Sequence, residues 1–253
     1  MSDAVPLPAA CCAQNAVQSD YKPQGTYIPL ANLNVYVTGS ESASRAILFF
    51  FDVFGLAPQT LQGADILAKS MGFVVLVPDF FHGEPLGLDV FPIDNDNKRE
   101  RAKVFISTTA DFTKNKPVAL QVQTAAAEKF PSIKSWGAFG LCWGGKMTAI
   151  LSGPESTFKA AGTAHPGYVR LDSSDAAQIS IPYICLFSKE DGTPEQVQAY
   201  EKTLKNSNAN VVETFANMHH GWMGARARLE DPENVTEYCR GYSLVGDFFD
   251  MHL

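Results

Sequence analysis

Residues 136–146 read Trp-Gly-Ala-Phe-Gly-Leu-Cys-Trp-Gly-Gly-Lys and contain the pattern Gly-x-Cys-x-Gly around Cys142. The preceding apolar run, residues 133–139, predicts a buried strand, and a helix is predicted to begin directly after the pattern. Such a strand-to-helix turn is typical of a nucleophile elbow, here with cysteine in place of serine. Side chains at Gly140 and Gly144 would collide with neighbouring backbone in so tight a turn. We therefore expect Cys142 to be a nucleophile rather than a small apolar residue packed under a helix.

The apolar runs around this turn predict the fold class. Residues 46–51, 73–77, 133–139 and 181–187 are continuous aliphatic and aromatic stretches, which is typical of parallel strands buried on both faces. A polar-flanked run, residues 34–38, predicts an antiparallel strand at an edge of the sheet. Because helical segments separate most of these strands, the sequence predicts an α/β protein with a mostly parallel, doubly wound sheet and helices on both faces.

The helices are predicted from apolar spacing and from residues that favour helix ends. They cover residues 61–71, 98–112, 118–130, 193–205 and 232–249. Gly72 suits a left-handed helix end, and Pro117 suits a first helical turn. Thr193 and Gln196 form a capping box. A last strand is predicted at residues 210–215, between the final two helices.

The composition is that of a globular protein. The 253 residues are 45% apolar and 19% charged, enough to bury a large core. Without an internal repeat or linker, we expect an N-terminal arm, residues 1–25, and one domain, residues 26–253. The formal net charge of -7 argues against nucleic acid or an anionic membrane as a partner. The longest apolar run, residues 46–51, is far shorter than the roughly 20 residues of a membrane helix.

The termini and cysteines indicate the compartment. No basic residue precedes Lys22, so the charged start of a secretory signal is missing and a cytoplasmic location is predicted. The five cysteines are an odd number spread over the chain, which does not suit a disulfide framework. Cys11 and Cys12 lie in the arm, where we expect them to be inert. The sequence leaves the oligomeric state open between monomer and homodimer.

A cysteine nucleophile needs a base and an orienting acid. In α/β-hydrolase chains the acid and the histidine follow the nucleophile in that order, each on a loop after a later strand. Asp191 follows the strand 181–187 and His220 follows the last strand, so we expect them to be the acid and the base. Glu190 and His219 are the neighbouring alternatives. A helix N-terminus and a nearby imidazole can lower the pKa of a thiol below its free value of about 8.5.

Two further histidines also follow predicted strands, His82 and His165. Ligands of open α/β sheets bind at the carboxyl ends of the strands, so both could line the pocket. An ordinary hydrogen-bonded loop histidine is an equally good interpretation of either. The adjacent His219 and His220 lack accompanying residues at metal-ligand spacing, so we predict no metal and no cofactor.

The sequence resembles the dienelactone hydrolase family from about residue 26 to residue 249. The resemblance rests on five segments in chain order: Asp52-Val53-Phe54-Gly55, Val77-Pro78-Asp79, Gly140-Leu141-Cys142-Trp143-Gly144-Gly145, Asp191, and His220-Gly221-Trp222. The Trp-Gly-Gly-Lys form after the cysteine and the paired histidines look more like fungal members than bacterial catabolic ones. The substrate therefore need not be dienelactone itself.

The resemblance implies a catalytic triad of Cys142, His220 and Asp191. It also implies an oxyanion hole formed by the backbone N–H groups of Val53 and Trp143. The elbow predicts the second of these donors independently, because the residue after the nucleophile supplies it in such folds.

The resemblance further implies a substrate-binding side of the site. Asp52 stands where the family has a glutamate that controls ionisation of the nucleophile, and its side chain is one methylene group shorter than that of glutamate. The family's arginine for the substrate carboxylate corresponds to Arg226 or Arg228, and spacing does not decide between them. Aromatic residues, among them Phe54 and Trp222, suit a planar conjugated ligand.

The chemistry of the thiol narrows the substrate class. A thiolate adding to a plain alkyl ester is expelled more easily than the alkoxide, whereas an enol lactone leaves as a stabilised enolate. We therefore expect hydrolysis of activated lactones or related esters, an activity of the carboxymethylenebutenolidase type. The alternatives are a cysteine-dependent thioesterase or acyltransferase, and a catalytically weak protein that binds a small molecule on the same fold.

Overall fold

The computed structural model describes residue 7 and residues 9–167, 174–205 and 208–253. The strands are β1 (Thr26–Leu30), β2 (Leu33–Thr38), β3 (Arg45–Phe50), β4 (Val74–Pro78), β5 (Ser135–Leu141), β6 (Ala160–Ala164), β7 (Tyr183–Ser188) and β8 (Val211–Phe215). The helices are α1 (Ala9–Cys12), α2 (Pro58–Met71), α3 (Asp96–Ser107), α4 (Phe112–Lys129), α5 (Trp143–Leu151), α6 (Pro194–Thr203) and α7 (Pro232–His252).

The strands form one sheet in the order β1-β2-β4-β3-β5-β6-β7-β8. From β4 to β8 every neighbouring pair is parallel, while β1 and β2 run antiparallel. Helices pack around the sheet, α2 against α7 and α4 against α5. The predicted α/β fold with a mostly parallel sheet is confirmed. The continuous apolar runs mark its centre because a strand covered on both faces has no polar side.

The prediction that residues 34–38 form an edge strand is wrong. β2 is antiparallel as expected, but β1 pairs with its outer side. A two-residue turn joins them, with Ala31 at φ 48° and Asn32 at φ 63°, the backbone that a tight hairpin requires. β1 was missed because most of its side chains are exposed and it contains Pro29, which only an edge strand tolerates well.

Two predicted helices differ from the observed ones. The first ends at Ser107 instead of residue 112, and the second begins at Phe112. Pro117 therefore lies inside α4 and not in its first turn, so that prediction is wrong. The reason is the N-cap Asp111, whose side chain accepts hydrogen bonds from the N–H groups of Thr113 and Lys114 and starts the helix earlier.

The other helix-end predictions are confirmed. Gly72 ends α2 in the left-handed region with φ 66°. Thr193 and Gln196 form a complete capping box at the start of α6, with Pro194 in the first turn. None of the helices in the described part of the chain is long and apolar enough to cross a membrane.

Candidate active site

Cys142 lies at the sharp turn between β5 and α5. Its backbone has φ 50° and ψ -104°, a strained conformation for a residue with a side chain. A Cβ atom at Gly140 would lie 2.1 Å from the carbonyl oxygen of Gly144, and one at Gly144 would lie 2.3 Å from that of Phe50. The turn therefore needs both glycines, and it has the geometry of a nucleophile elbow.

Backbone hydrogen bonds fix this turn to the neighbouring strands. The N–H of Gly144 donates to the carbonyl of Phe51 at 3.1 Å, at the end of β3. The N–H of Cys142 donates to the carbonyl of Ala164 at 3.3 Å, at the end of β6. Because both neighbouring strands hold the turn, the Cys142 side chain has a defined position at the carboxyl edge of the sheet.

The loop after β7 supplies the acid, and the loop after β8 supplies the histidine. The Nδ1 atom of His220 lies 2.5 Å from Oδ1 of Asp191, whose other carboxylate oxygen accepts from the N–H of Ser188 at 2.6 Å. Glu190 instead accepts from the backbone N–H of His220 at 2.9 Å. The Nε2 atom of His219 lies 2.9 Å from the carbonyl oxygen of Arg226. Of the four neighbouring candidates, Asp191 and His220 thus face each other.

The electrostatics join this pair to the cysteine. Burial alone would lower the pKa of His220, but the charges of Asp191 and Cys142, together with hydrogen bonds to both, raise it to about 10. The side chains of Asp191 and His220 are each only 1% exposed, so water screens their interaction little. The three side chains therefore form one hydrogen-bonded chain that favours a protonated imidazole beside the sulfur.

Asp52 lies buried close to this chain. Its two carboxylate oxygens accept from the backbone N–H groups of Phe54 at 2.9 Å and Ala225 at 3.0 Å. Burial and the negative charge of Cys142 raise the pKa of Asp52 to about 6, although the two N–H groups and Arg226 oppose the increase. Asp52 therefore changes its charge close to neutral pH.

The substitution Asp52→Asn tests whether the charge of this carboxylate affects the ionisation of Cys142. Above pH 6 the wild-type carboxylate is ionised and opposes a thiolate at Cys142, whereas below pH 6 it is protonated and neutral. We expect Asp52→Asn to increase the rate constant for alkylation of Cys142 by iodoacetamide about three- to tenfold near pH 7.5. Near pH 5 the two proteins should react at similar rates, because both residues are then uncharged.

The matched control is Asp79→Asn, at the end of the neighbouring strand β4. The Asp79 carboxylate also accepts from a backbone N–H group two residues later, that of Phe81 at 3.3 Å. Its removal should leave the alkylation rate of Cys142 unchanged at every pH. The measured quantity is the ratio of the alkylation rate constant of Asp52→Asn to that of the wild type. If this ratio stays constant from about pH 5 to pH 8, the result contradicts a charge effect of Asp52.

Val53 and Trp143 lie on the β3 side of Cys142. Val53 follows Asp52 in the loop after β3, and Trp143 is the first residue of α5. Among the hydrogen bonds of the described residues, none uses the backbone N–H of either residue as donor. Two N–H groups at a helix start and an adjacent loop can stabilise a developing oxyanion.

The N-terminal arm reaches the edge of the site, a feature the sequence did not indicate. The buried guanidinium of Arg226 donates to the carbonyl oxygens of Ala10 and Gln14. The N–H of Val17 donates to the carbonyl of Ala225 at 2.8 Å. Burial raises the pKa of the Cys12 thiol, with a smaller contribution from Cys142 and an opposing one from Arg226. The arm therefore lies within electrostatic reach of Cys142.

Both candidate arginines for a substrate carboxylate contact the arm. Arg226 also lies over the ring of Phe54, with its guanidinium carbon 5.2 Å from the ring centroid. The exposed Arg228 donates to the side-chain oxygen of Gln14 at 2.9 Å. Arg226 is the one that is buried near Asp52, so it is the one placed to influence the site.

The remaining predicted pocket residues, His165, His82 and Trp222, differ in burial and in their contacts. His165 is buried, and its ring centroid lies 5.2 Å from that of His220. The side chain of His82 is exposed. Trp222 is fully buried and packs on Phe215 of β8, with ring centroids 4.3 Å apart. Within the described part of the chain, no group of three His, Cys, Asp or Glu residues could hold a metal ion.

The doubly wound sheet, the elbow after β5, and the acid and histidine after β7 and β8 define an α/β-hydrolase fold. The solved structure of a protein called m3DLH has this fold, with a TM-score of 0.66, 19% identity, and coverage of 91% of this chain and 98% of its own. Residues 33–253 match the dienelactone hydrolase family. The chain belongs to this family of hydrolases.

Two curated relatives are similar along most of their length. An uncharacterised AIM2 family protein of Schizosaccharomyces pombe is 34% identical over 251 residues, which cover 95% of this chain and 98% of the relative. A carboxymethylenebutenolidase homolog of Xenopus tropicalis is 26% identical, with 85% of each chain covered. The predicted family membership is confirmed, and a hydrolase of this family implies a small-molecule substrate.

Proposed function

We propose that this protein hydrolyses activated esters, enol lactones above all, through a thioester formed on Cys142. The observation that carries the proposal is the hydrogen-bonded chain from Asp191 through His220 to Cys142 at the elbow. A nucleophile joined to a base that is itself oriented by an acid is the arrangement that acyl transfer requires. In this proposal Asp191 orients the imidazole, and His220 moves the proton.

Each step of the proposed reaction balances. The Cys142 thiolate adds to the lactone carbonyl, and the oxyanion is held by the N–H groups of Val53 and Trp143. The intermediate collapses with cleavage of the ring C–O bond, and the enolate oxygen takes the proton of the His220 imidazolium. Water then attacks the thioester while His220 accepts its proton. Cleavage of the C–S bond releases the carboxylic acid and regenerates Cys142.

The leaving group decides which substrates suit a thiol. In the tetrahedral intermediate the group with the more acidic conjugate acid leaves preferentially. An enolate competes well with a thiolate, but an alkyl amide nitrogen does not without prior protonation. This supports enol lactones and activated esters as the substrate class. The thioesterase alternative uses the same acyl-enzyme and differs in its substrate.

The contacts of the N-terminal arm are evidence against the alternative function, in which the protein only binds a small acid. An arginine available to a ligand carboxylate would favour that alternative. Arg226 instead donates to two carbonyl groups of the arm, those of Ala10 and Gln14. A substrate carboxylate would have to compete with these contacts, which weakens the support for a carboxylate receptor.

The substrate class is tested by comparing a conjugated enol lactone, p-nitrophenyl acetate and an N-alkyl acetamide under reducing conditions. We expect kcat/KM to be at least about 10³-fold higher for the lactone than for the amide, which corresponds to about 4 kcal/mol in the barrier. Product analysis with an added thiol or alcohol separates hydrolysis from acyl transfer. Comparable rates on the lactone and the amide would contradict the proposal.

A further inference from the structure

His165 is held in a strained conformation directly after β6. Its φ of 39° lies in the left-handed region, which is unfavourable for a residue with a side chain. Its N–H donates to the carbonyl of Leu186 at 2.7 Å, and the preceding carbonyl, that of Ala164, accepts from Cys142. The backbone of His165 is thus fixed between the nucleophile and the strand that leads to the acid.

The side chain of His165 is fully buried against His220. The two rings meet edge to face, with centroids 5.2 Å apart and an interplanar angle of 74°. Among the described residues, neither Nδ1 nor Nε2 of His165 has a hydrogen-bond partner. A buried polar atom without a hydrogen-bond partner is unfavourable, and an apolar side chain would avoid this cost. The position therefore suits a polar group that enters during the reaction.

The surroundings of His165 keep its imidazole uncharged. Burial lowers its pKa well below the usual value, and the positive charges of His220, Arg226 and His219 add to this effect. The imidazole is thus neutral at neutral pH, with one nitrogen that donates and one that accepts a hydrogen bond. Because its pKa is so low, the imidazole of His165 is a weak base that can accept a hydrogen bond from a water molecule without taking the proton.

The sheet order separates His165 from the proposed oxyanion hole. β5 lies between β3 and β6, so Val53 is on one side of Cys142 and His165 is on the other. Asp191 and His220 come from loops after β7 and β8, which lie beyond β6 on the same side as His165. The leaving group departs towards His220, and the attacking water must take its place.

We propose that His165 is a catalytic residue of deacylation, holding the hydrolytic water beside His220. This inference rests on the proposed thioester mechanism. One hydrogen of the water goes to His220 as the oxygen attacks the thioester carbonyl, and the other is donated to the unprotonated nitrogen of His165. The C–S bond breaks, the Cys142 thiolate leaves, and His165 keeps its own proton throughout.

The test separates acylation from deacylation with p-nitrophenyl acetate in a stopped-flow instrument. The burst of p-nitrophenol reports acylation of Cys142, and the steady state reports hydrolysis of the acetyl-enzyme. For His165→Phe we expect a burst rate within about threefold of the wild type and a steady-state rate lower by about 10²-fold. Acetylated protein should accumulate and be visible by intact mass spectrometry.

Two variants complete the test. His165→Asn keeps a hydrogen-bonding side chain and should recover at least about a tenth of the deacylation rate. It also serves as the second variant if His165→Phe does not fold, as judged by thermal unfolding. His252→Phe makes the same exchange at the end of α7 and should leave both phases unchanged.

The outcomes distinguish the two proposals. Burst and steady-state rates that fall equally in both His165 variants, or that do not change, overturn the role of His165 while leaving the thioester mechanism intact. A wild-type protein that hydrolyses the ester without acetylation of Cys142 overturns both. A selective loss of deacylation that Asn partly restores supports both, because a merely structural role would affect the two phases alike.

Discussion

Cys142→Ala should lower the kcat for an enol lactone and for p-nitrophenyl acetate by about 10⁴-fold or more. Alanine fits the elbow, because it is smaller than cysteine and the strain lies in the backbone. The change removes the sulfur atom on which the proposed acyl-enzyme forms, and it leaves Asp191 and His220 in place. The measurement is initial rates under reducing conditions, together with peptide mapping of the acetylated residue.

Cys239→Ala is the control for this change. Cys239 is an exposed cysteine on α7, so its removal should leave the kinetics of both substrates unchanged. Turnover by Cys142→Ala within tenfold of the wild type would exclude Cys142 as the nucleophile. Alkylation with iodoacetamide should inactivate the wild type and the Cys239→Ala protein equally.

Asp191→Asn should lower kcat by about 10³- to 10⁴-fold. The amide can turn its N–H group towards Nδ1 of His220, which favours the wrong tautomer for accepting a proton at Nε2. It also removes the negative charge that raises the pKa of His220. We therefore expect less protonated imidazole near neutral pH, and slower alkylation of Cys142 as a second readout.

Glu190→Gln makes the same acid-to-amide change one residue earlier. The Glu190 carboxylate accepts from the backbone N–H of His220, and a glutamine oxygen can accept that bond as well. We expect its kcat to stay within about tenfold of the wild type. The reverse order of effects, with Glu190→Gln the more damaged enzyme, would assign the orienting role to Glu190.

The central strands were predictable because both of their faces are covered, so that they consist almost entirely of apolar residues. Continuous apolar runs mark β3, β4, β5 and β7, and the glycines of the elbow follow from the close approach of backbone atoms around Cys142. The periphery was less predictable. Most side chains of β1 are exposed and the strand contains Pro29, so the sequence of this segment does not indicate that it pairs with β2.

The segments that form the candidate site were predictable, but the choice between neighbouring residues within them was not. Asp191 and Glu190 follow the same strand, and only the fold shows which carboxylate meets Nδ1 of His220. The environment of Arg226 could not be derived from local spacing, because its partners Ala10 and Gln14 are separated from it by 216 and 212 positions in the chain. His165 was a candidate from its place after a strand, but its unpartnered nitrogens required the tertiary structure.

The way in which the arm is held has a consequence for substitutions within it. Arg226 donates hydrogen bonds to main-chain carbonyl groups of the arm, those of Ala10 and Gln14. Such contacts do not depend on the side chains at these positions. The arm also forms part of the wall of a cavity of about 520 Å³ that includes Ala16 and Phe54. Substitutions in the arm can therefore change the lining of this cavity without loss of the main-chain contacts that hold the arm against Arg226.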